Sequence, residues 1–434
     1  MINTVKRYGL TFLGVILTAV FCVAPARAAI DGLTGTEFNF TAKSGYVLAS
    51  EGSSILMWGY GVDGNMQYPG PTLIVNEGDL ITVTVTNQLS VPTSIVFPGQ
   101  TNVTASGGVP GLLAREALPG GTVTYSFTAS KPGTYTYYSG TRPDLQVMMG
   151  LVGALIVRPL GLPAPVPGEP PAVGRAYGHD DSRFNRETLF LLTEIDPRLN
   201  RLVELGRMDE VDTTIFKAAH WFINGRDAPD TLAPAFDPTL PNQPYNSLPR
   251  MHPAERMLLR MIGGGRDNHP FHCHGNQHNQ IAKDGRLMQT APGMGADMQE
   301  SVFTSAVGPG QTIDAIFSWT GQGLGWDIYG HAPTDPCEPY EDCSPTGDHG
   351  KPVPVVMPSI EVIVAGQFYS GSPYLGTKGQ LPPGEGGFNP TSALFYMWHS
   401  HAERELTSNN IFPGGMLTFG IVEKWDVVIE PGNP

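Results

Sequence analysis

From Phe38 to about Arg158 this chain reads as strand, turn, strand, and in its clearest runs apolar and polar positions alternate with a period of two. Leu80-Ile-Thr-Val-Thr-Val-Thr86 and Thr122-Val-Thr-Tyr-Ser-Phe-Thr128 put β-branched or aromatic side chains on one face and hydroxyls on the other. A half-buried antiparallel sheet requires that pattern. Thr134-Tyr-Thr-Tyr-Tyr138 and Leu151-Val-Gly-Ala-Leu-Ile-Val157 extend the set, and Tyr68-Pro-Gly-Pro-Thr72 is turn chemistry. A second group of strands is predicted at Thr188–Glu194, Trp221–Gly225, Arg256–Ile262, Thr312–Ser318, Ala393–Ser400 and Leu417–Glu423. Between the groups, six of the thirteen residues from Pro159 to Pro171 are proline, which makes a stiff, extended linker. The expected fold is all-β: two Greek-key β-sandwich domains, residues 29–158 and 187–426, joined by a Pro-rich linker at 159–186. A long Gly/Pro-rich insertion at about 321–390 interrupts the second domain, and 427–434 is a tail.

Composition adds a destination and removes some partners. Lys6 and Arg7 precede an apolar run from Leu10 to about Ala24, and Ala26-Arg-Ala28 offers a small-residue cleavage site. Residues 1–28 therefore read as a signal peptide, and the protein is expected to be exported, to the periplasm or the extracellular space. No later segment approaches the ~18–20 uninterrupted apolar residues of a membrane span. The net charge of −14 becomes −17 without Lys6, Arg7 and Arg27, a balance that argues against nucleic acid and anionic membrane as partners. Cys337 and Cys343, in Cys-Glu-Pro-Tyr-Glu-Asp-Cys, are close enough to close a small disulfide loop in an oxidising compartment.

The chemistry concentrates in His269-Pro-Phe-His-Cys-His-Gly-Asn-Gln-His278, which holds four of the 11 histidines and one of the 4 cysteines. On an extended strand His272 and His274 share one face and Cys273 points the other way. A His-x-His pair supplies two neutral nitrogen donors from one rigid element, suited to Cu, Zn, Fe or Ni. His399-Ser-His401 repeats the arrangement, and two such strands side by side would converge four imidazoles on one pocket. Glu403, Glu405 and Asp267 are candidate acceptors for the outer ring nitrogens. Cys273 is either a ligand or a buried bystander, while His179, His220, His252, His331 and His349 read as structural or surface residues. No Gly-x-Ser-x-Gly, P-loop or dinucleotide fingerprint is present, which sets hydrolase and nucleotide-binding classes aside.

The two halves echo each other. Tyr137-Tyr-Ser-Gly140, followed by Met149 to Val157, parallels Trp398-His-Ser-His401, followed by Gly415 to Val422. Ser94-Ile-Val-Phe-Pro-Gly99 stands where Pro270-Phe-His-Cys-His-Gly275 stands in the second half. The duplicated domain thus has Val96, Pro98, Tyr138 and Gly140 at the four positions where its second copy has histidine.

These motifs resemble the multicopper oxidases, a family of fused cupredoxin domains. The resemblance rests on Tyr68-Pro-Gly-Pro-Thr72, Asn76-Glu-Gly-Asp79, Phe222-Ile-Asn-Gly225, Arg260-Met-Ile262, Gly308-Pro-Gly-Gln311, the His-Pro-x-His-x-His-Gly stretch at His269–Gly275 and the pair His399-Ser-His401. It implies two cupredoxin-like domains and copper as cofactor. Four His-x-His pairs hold a three-copper cluster in that family, and His272, His274, His399 and His401 match half of them. His269 matches the blue-copper histidine, whereas Ser400 stands where the family's final motif carries its blue-copper cysteine. The same stretch also spells His272-Cys-His-Gly-Asn-Gln-His278, the family's blue-copper signature, on which reading Cys273, His269 and His278 hold a copper. The expected function is an exported, copper-binding oxidoreductase acting on a small reducing substrate or a metal ion with an incomplete cluster. A homo-oligomer or a partner chain would complete it. The alternatives are a catalytically inactive cupredoxin scaffold that binds a partner, and copper storage or delivery.

Overall fold

The computed structural model describes residues 30–354, 356, 373–376 and 391–429. The expected signal peptide, parts of the 321–390 insertion and the last residues of the tail lie outside the described residues. The first sandwich packs a four-stranded sheet, in the order Leu33–Thr34, Gly70–Asn76, Val152–Arg158, Gly133–Tyr138, on a five-stranded one. In the latter, Leu80–Asn87 pairs antiparallel with Thr122–Thr128. Ile81, Val83 and Val85 are buried against Phe40, Tyr60, Phe97 and Tyr137, and the intervening threonines form cross-strand hydroxyl pairs such as Thr84 with Thr124 at 3.0 Å. The alternation in the sequence is thus a core face and a polar face.

The second sandwich repeats the plan. One sheet runs His220–Ile223, Arg186–Ile195, Arg256–Gly263, Thr312–Ser318, His278–Lys283, and the other runs Arg250–Met251, Leu417–Val422, Leu394–Ser400, His269–Cys273, Thr304–Val307. Phe190, Phe271, Phe317 and Trp398 meet between the sheets, with Phe190 and Phe271 ring centroids 5.0 Å apart.

Two features depart from the expectation. The linker is extended only in part: Gly174–Arg175 pairs with Arg183–Phe184, and Ala176, Tyr177 and Phe184 are buried against Leu258, Ile281 and Ile316 of the second sandwich. A helix, Pro197–Glu204, also interrupts the strands. Its signal was present in Asp196-Pro197: Asp196 caps the Arg198 N–H, and proline occupies the first turn, where its missing N–H costs nothing. Leu199 and Val203 of this helix pack into the core of the first domain, and Asn200 Nδ2 donates to the Leu56 carbonyl at 2.8 Å.

The domains share an interface with an apolar core. Ile74, Val152, Ala154 and Ile156 of the first pack on Leu189, Leu191 and Ile262 of the second. Beside them the fully buried Arg260 donates to Glu187 at 2.9 Å and to the Thr134 hydroxyl at 2.9 Å, and Thr134 in turn donates to Asp314 at 2.6 Å. Removing one member of a buried ion pair leaves the other charge unpaired in low dielectric. Arg260→Met should therefore lower the unfolding free energy by about 3–5 kcal/mol in a denaturant titration. An effect under about 1 kcal/mol would show that the network does not hold the domains.

Candidate metal centre

The site is made by a strand register. His269–Cys273 lies antiparallel to Leu394–Ser400, and His272 stands directly opposite His399. Opposed residues share a face, so His274 and His401, two residues further along their own chains in opposite directions, join the same face as diagonal neighbours. The other face carries Phe271, Cys273, Trp398 and Ser400, all buried. Ring centroids of His272 lie 5.0 Å from His274, 5.5 Å from His399 and 4.8 Å from His401. All four paired histidines come together.

Their nitrogens are arranged as donors. The Nε2 atoms of His274 and His399 approach to 3.3 Å. That is the span of two imidazole–metal bonds of about 2.0–2.1 Å set at roughly a tetrahedral angle. One donor atom from each of His272, His274 and His399 falls within 4.8 Å of the others. The Nδ1–H of His399 donates to the Ser400 carbonyl at 2.7 Å, which fixes the tautomer with a lone pair on Nε2. His272 Nδ1 pairs with the Thr304 hydroxyl at 2.7 Å and leaves its own Nε2 for the cluster. Burial, reinforced by the neighbouring rings, pushes His272 and His274 down to about 4, and burial also lowers His399. Neutral imidazole is the form that binds a transition metal, so this donor set fits copper. His401 sits at the rim, its side chain 53% exposed and its Nδ1 3.9 Å from Glu403.

The remaining candidates lie elsewhere. His269 belongs by parity to the core-facing side, where it is held between two carboxylates: Nε2 lies 3.0 Å from Glu194 and Nδ1 2.9 Å from Glu405. Burial alone would lower its pKa, but the two hydrogen bonds and charges prevail and raise it to about 9. With both nitrogens taken, His269 is a buried imidazolium and has no lone pair for copper. Glu405 is thus its partner, not an acceptor for the cluster. Cys273 is fully buried in the aromatic core, and burial raises its thiol well above the usual range. His278 stands on the opposite sheet with Nε2 2.7 Å from the Ser305 hydroxyl. Among the described residues none of these three is in a cluster of metal-donor atoms. Thr304, which positions His272, carries no local motif, and only strand pairing with His272 reveals it. The expected disulfide between Cys337 and Cys343 is present.

In the first domain the corresponding backbone is intact. Val96 and Tyr138 form an antiparallel bridge, with Val96 N–H donating to the Tyr138 carbonyl at 2.8 Å. It occupies the place of His272 and His399 without imidazoles. At Gly140 a Cβ would lie 2.7 Å from Val96 Cγ1, so a side chain there would force Val96 to shift.

Comparison with known proteins agrees with this architecture. Residues 52–161 match the family model described as multicopper oxidase. A laccase, abr2, of Aspergillus fumigatus is 34% identical over 167 residues, 37% of this chain and 27% of that protein. The multicopper oxidase MCE of Talaromyces pinophilus is 40% identical over 97 residues, 22% of this chain and 16% of that protein. The chain thus spans about a quarter or less of the length of these curated relatives. Among solved structures, the blue copper oxidase of Nitrosomonas europaea superposes with a TM-score of 0.55 at 18% identity, covering 89% of this chain and 86% of that one. The multicopper oxidase mgLAC gives a TM-score of 0.55 at 19% identity, covering 92% and 88%. At such identity the likeness speaks for the fold: this is an all-β protein of cupredoxin architecture. Over residues 52–161 the chain matches the multicopper oxidase model, and its similarity to a laccase points the same way, to copper as the cofactor.

The buried His269 pairing makes a testable demand. A group whose folded pKa is raised supplies stability below its unfolded value of 6.5, and that stability fades as pH climbs through about 9. His269→Ala, which leaves Glu194 and Glu405 facing each other unpaired, should cost about 3–5 kcal/mol near neutral pH. Metal-free wild type should lose stability between about pH 6 and about pH 10 by a component that His269→Gln lacks. Parallel pH profiles for the two proteins would show that His269 is not the charged group.

Proposed function

We propose that the chain is an exported, copper-binding oxidoreductase that holds copper on a half-site made by His272, His274, His399 and His401. The observation that carries this is the direct opposition of His272 and His399, with the His274 and His399 Nε2 atoms 3.3 Å apart. Copper, when bound there, supplies one-electron chemistry and coordination positions open to dioxygen or to a reducing substrate. The chain's own part is to present neutral donors, to fix the His399 tautomer through the Ser400 carbonyl, to hold the His272 ring through Thr304, and to leave one side uncovered. His401 is half-exposed, and Phe303, also partly exposed, lies beside His272 with ring centroids 6.3 Å apart. That open, partly apolar rim suits a second chain, either another copy or a different protein, supplying the donors that Val96, Pro98, Tyr138 and Gly140 cannot.

The bare first domain suits the alternative of an inactive scaffold. Against it stands the local order: four rings, one fixed tautomer and depressed proton affinities are more than a scaffold needs. No helix among the described residues is long and apolar enough to cross a membrane. The test is metal analysis of the full chain after copper reconstitution, with visible and electron paramagnetic resonance spectra. About one copper per chain, without an intense blue thiolate band, is expected. His272→Ala combined with His399→Ala should abolish uptake. Failure of the wild type to take up copper would leave only the scaffold, and an intense blue band would bring Cys273 into the site and overturn this geometry.

A further inference from the structure

We propose that Asp327, His331, Glu341 and His349, in the insertion, form a second metal site, closed and structural, for a divalent ion of the zinc class. The four side chains approach one another as metal ligands do. His331 Nδ1 lies 3.3 Å from Asp327 Oδ2 and 3.5 Å from Glu341 Oε2, and His349 Nδ1 lies 3.0 Å from Glu341 Oε1 and 3.6 Å from Asp327 Oδ2. A tetrahedron with bonds of about 2.0–2.1 Å has edges of about 3.3 Å. Two carboxylates match the charge of a divalent ion, and two nitrogen with two oxygen donors suit zinc.

The surroundings aim these atoms inward. The Asp327 carboxylate is wholly buried and receives the Tyr329 N–H on Oδ1 and the Gly350 N–H on Oδ2, both at 2.8 Å. The outer nitrogen of His349, Nε2, donates to the Asp335 carbonyl at 3.1 Å, and that of His331 faces Glu338 at 3.9 Å. Both rings therefore turn Nδ1 to the carboxylates, as ligand histidines do when their second nitrogen is held.

A purely ionic network of imidazolium and carboxylate serves the group less well. His349 Nδ1 can satisfy Glu341, but His331 Nδ1 is sealed from solvent with no hydrogen-bond partner. A buried nitrogen left so is costly, and a shared cation relieves it. Beside it a cavity of about 30 Å³ is bounded by Asp327, Tyr329, Glu341 and His349. The Cys337 and Cys343 sulfurs lie next to Glu341 and His349, but joined to each other they offer no thiolate. Their bridge instead closes the loop that carries Glu338 and Glu341. Ile328 and Tyr329 are buried in the core of the second sandwich, so an ion here would pin the insertion to that core.

The test uses the full chain carrying His272→Ala and His399→Ala, which removes the other imidazole cluster and makes the result independent of it. After chelator stripping, calorimetric titration with zinc chloride should show about one ion per chain, and zinc should raise the thermal midpoint. Adding His331→Ala with His349→Ala should abolish uptake. The near-isosteric Glu341→Gln, whose folding can be checked by circular dichroism, should weaken binding by on the order of 100-fold. No uptake by the background protein, or undiminished uptake by the Glu341→Gln chain, would overturn the site.

Discussion

Everything at the histidine cluster follows from one backbone pairing, the antiparallel register that sets His272 opposite His399. A slip of one residue would send the imidazoles into the core and the aromatic side chains out. The register is held by what lies behind it: Phe271 and Trp398 are buried against Phe190 and Phe317, and Trp398 Nε1 donates to the His274 carbonyl at 3.0 Å. Burying each such ring is worth roughly 1.5–3 kcal/mol, so a slip would forfeit several kcal/mol before any polar penalty. The apolar face of the pair, rather than any affinity among histidines, places the donors.

The same two-residue period separates two kinds of histidine within one short strand. His272 and His274 face outward among other imidazoles and are held neutral, down to about 4. His269 faces inward between Glu194 and Glu405 and is held charged, up to about 9. Burial opposes the charged form in all three, and the carboxylates alone reverse the outcome. The imidazolium closes the end of the strand pair by tying Glu194 of one sheet to Glu405, just beyond the other strand, while the neutral rings remain available to a metal.

Much of this was legible from alternation. The Leu80–Asn87 and Thr122–Thr128 strands fall where period two puts them, and parity already set Cys273 on the face opposite His272 and His274 while leaving its role open. What could not be read was partnership across the sequence. Nothing near His269 announces Glu194, 75 residues earlier. Motif similarity favoured His269 as a ligand because it counts histidines without their faces. The same blindness passed over His331 and His349, which are scattered in sequence and meet only because the insertion folds back on itself. The Pro197–Glu204 helix was missed although its cap and proline were visible, because the surrounding strands dominate that stretch.

The duplicated first domain shows how far backbone and chemistry are separable. Its Val96–Tyr138 bridge reproduces the pairing that carries the imidazoles in the second domain, yet presents only an isopropyl group and a phenol. A side chain at Gly140 would force Val96 to shift, so restoring histidine there disturbs Val96 as well. The blank half is therefore a repacked surface rather than a site one substitution from activity. Since fold does not carry function with it, the proposed half-site would need donors from another chain to become a complete cluster. The open rim at His401 and Phe303 is the side from which they would come.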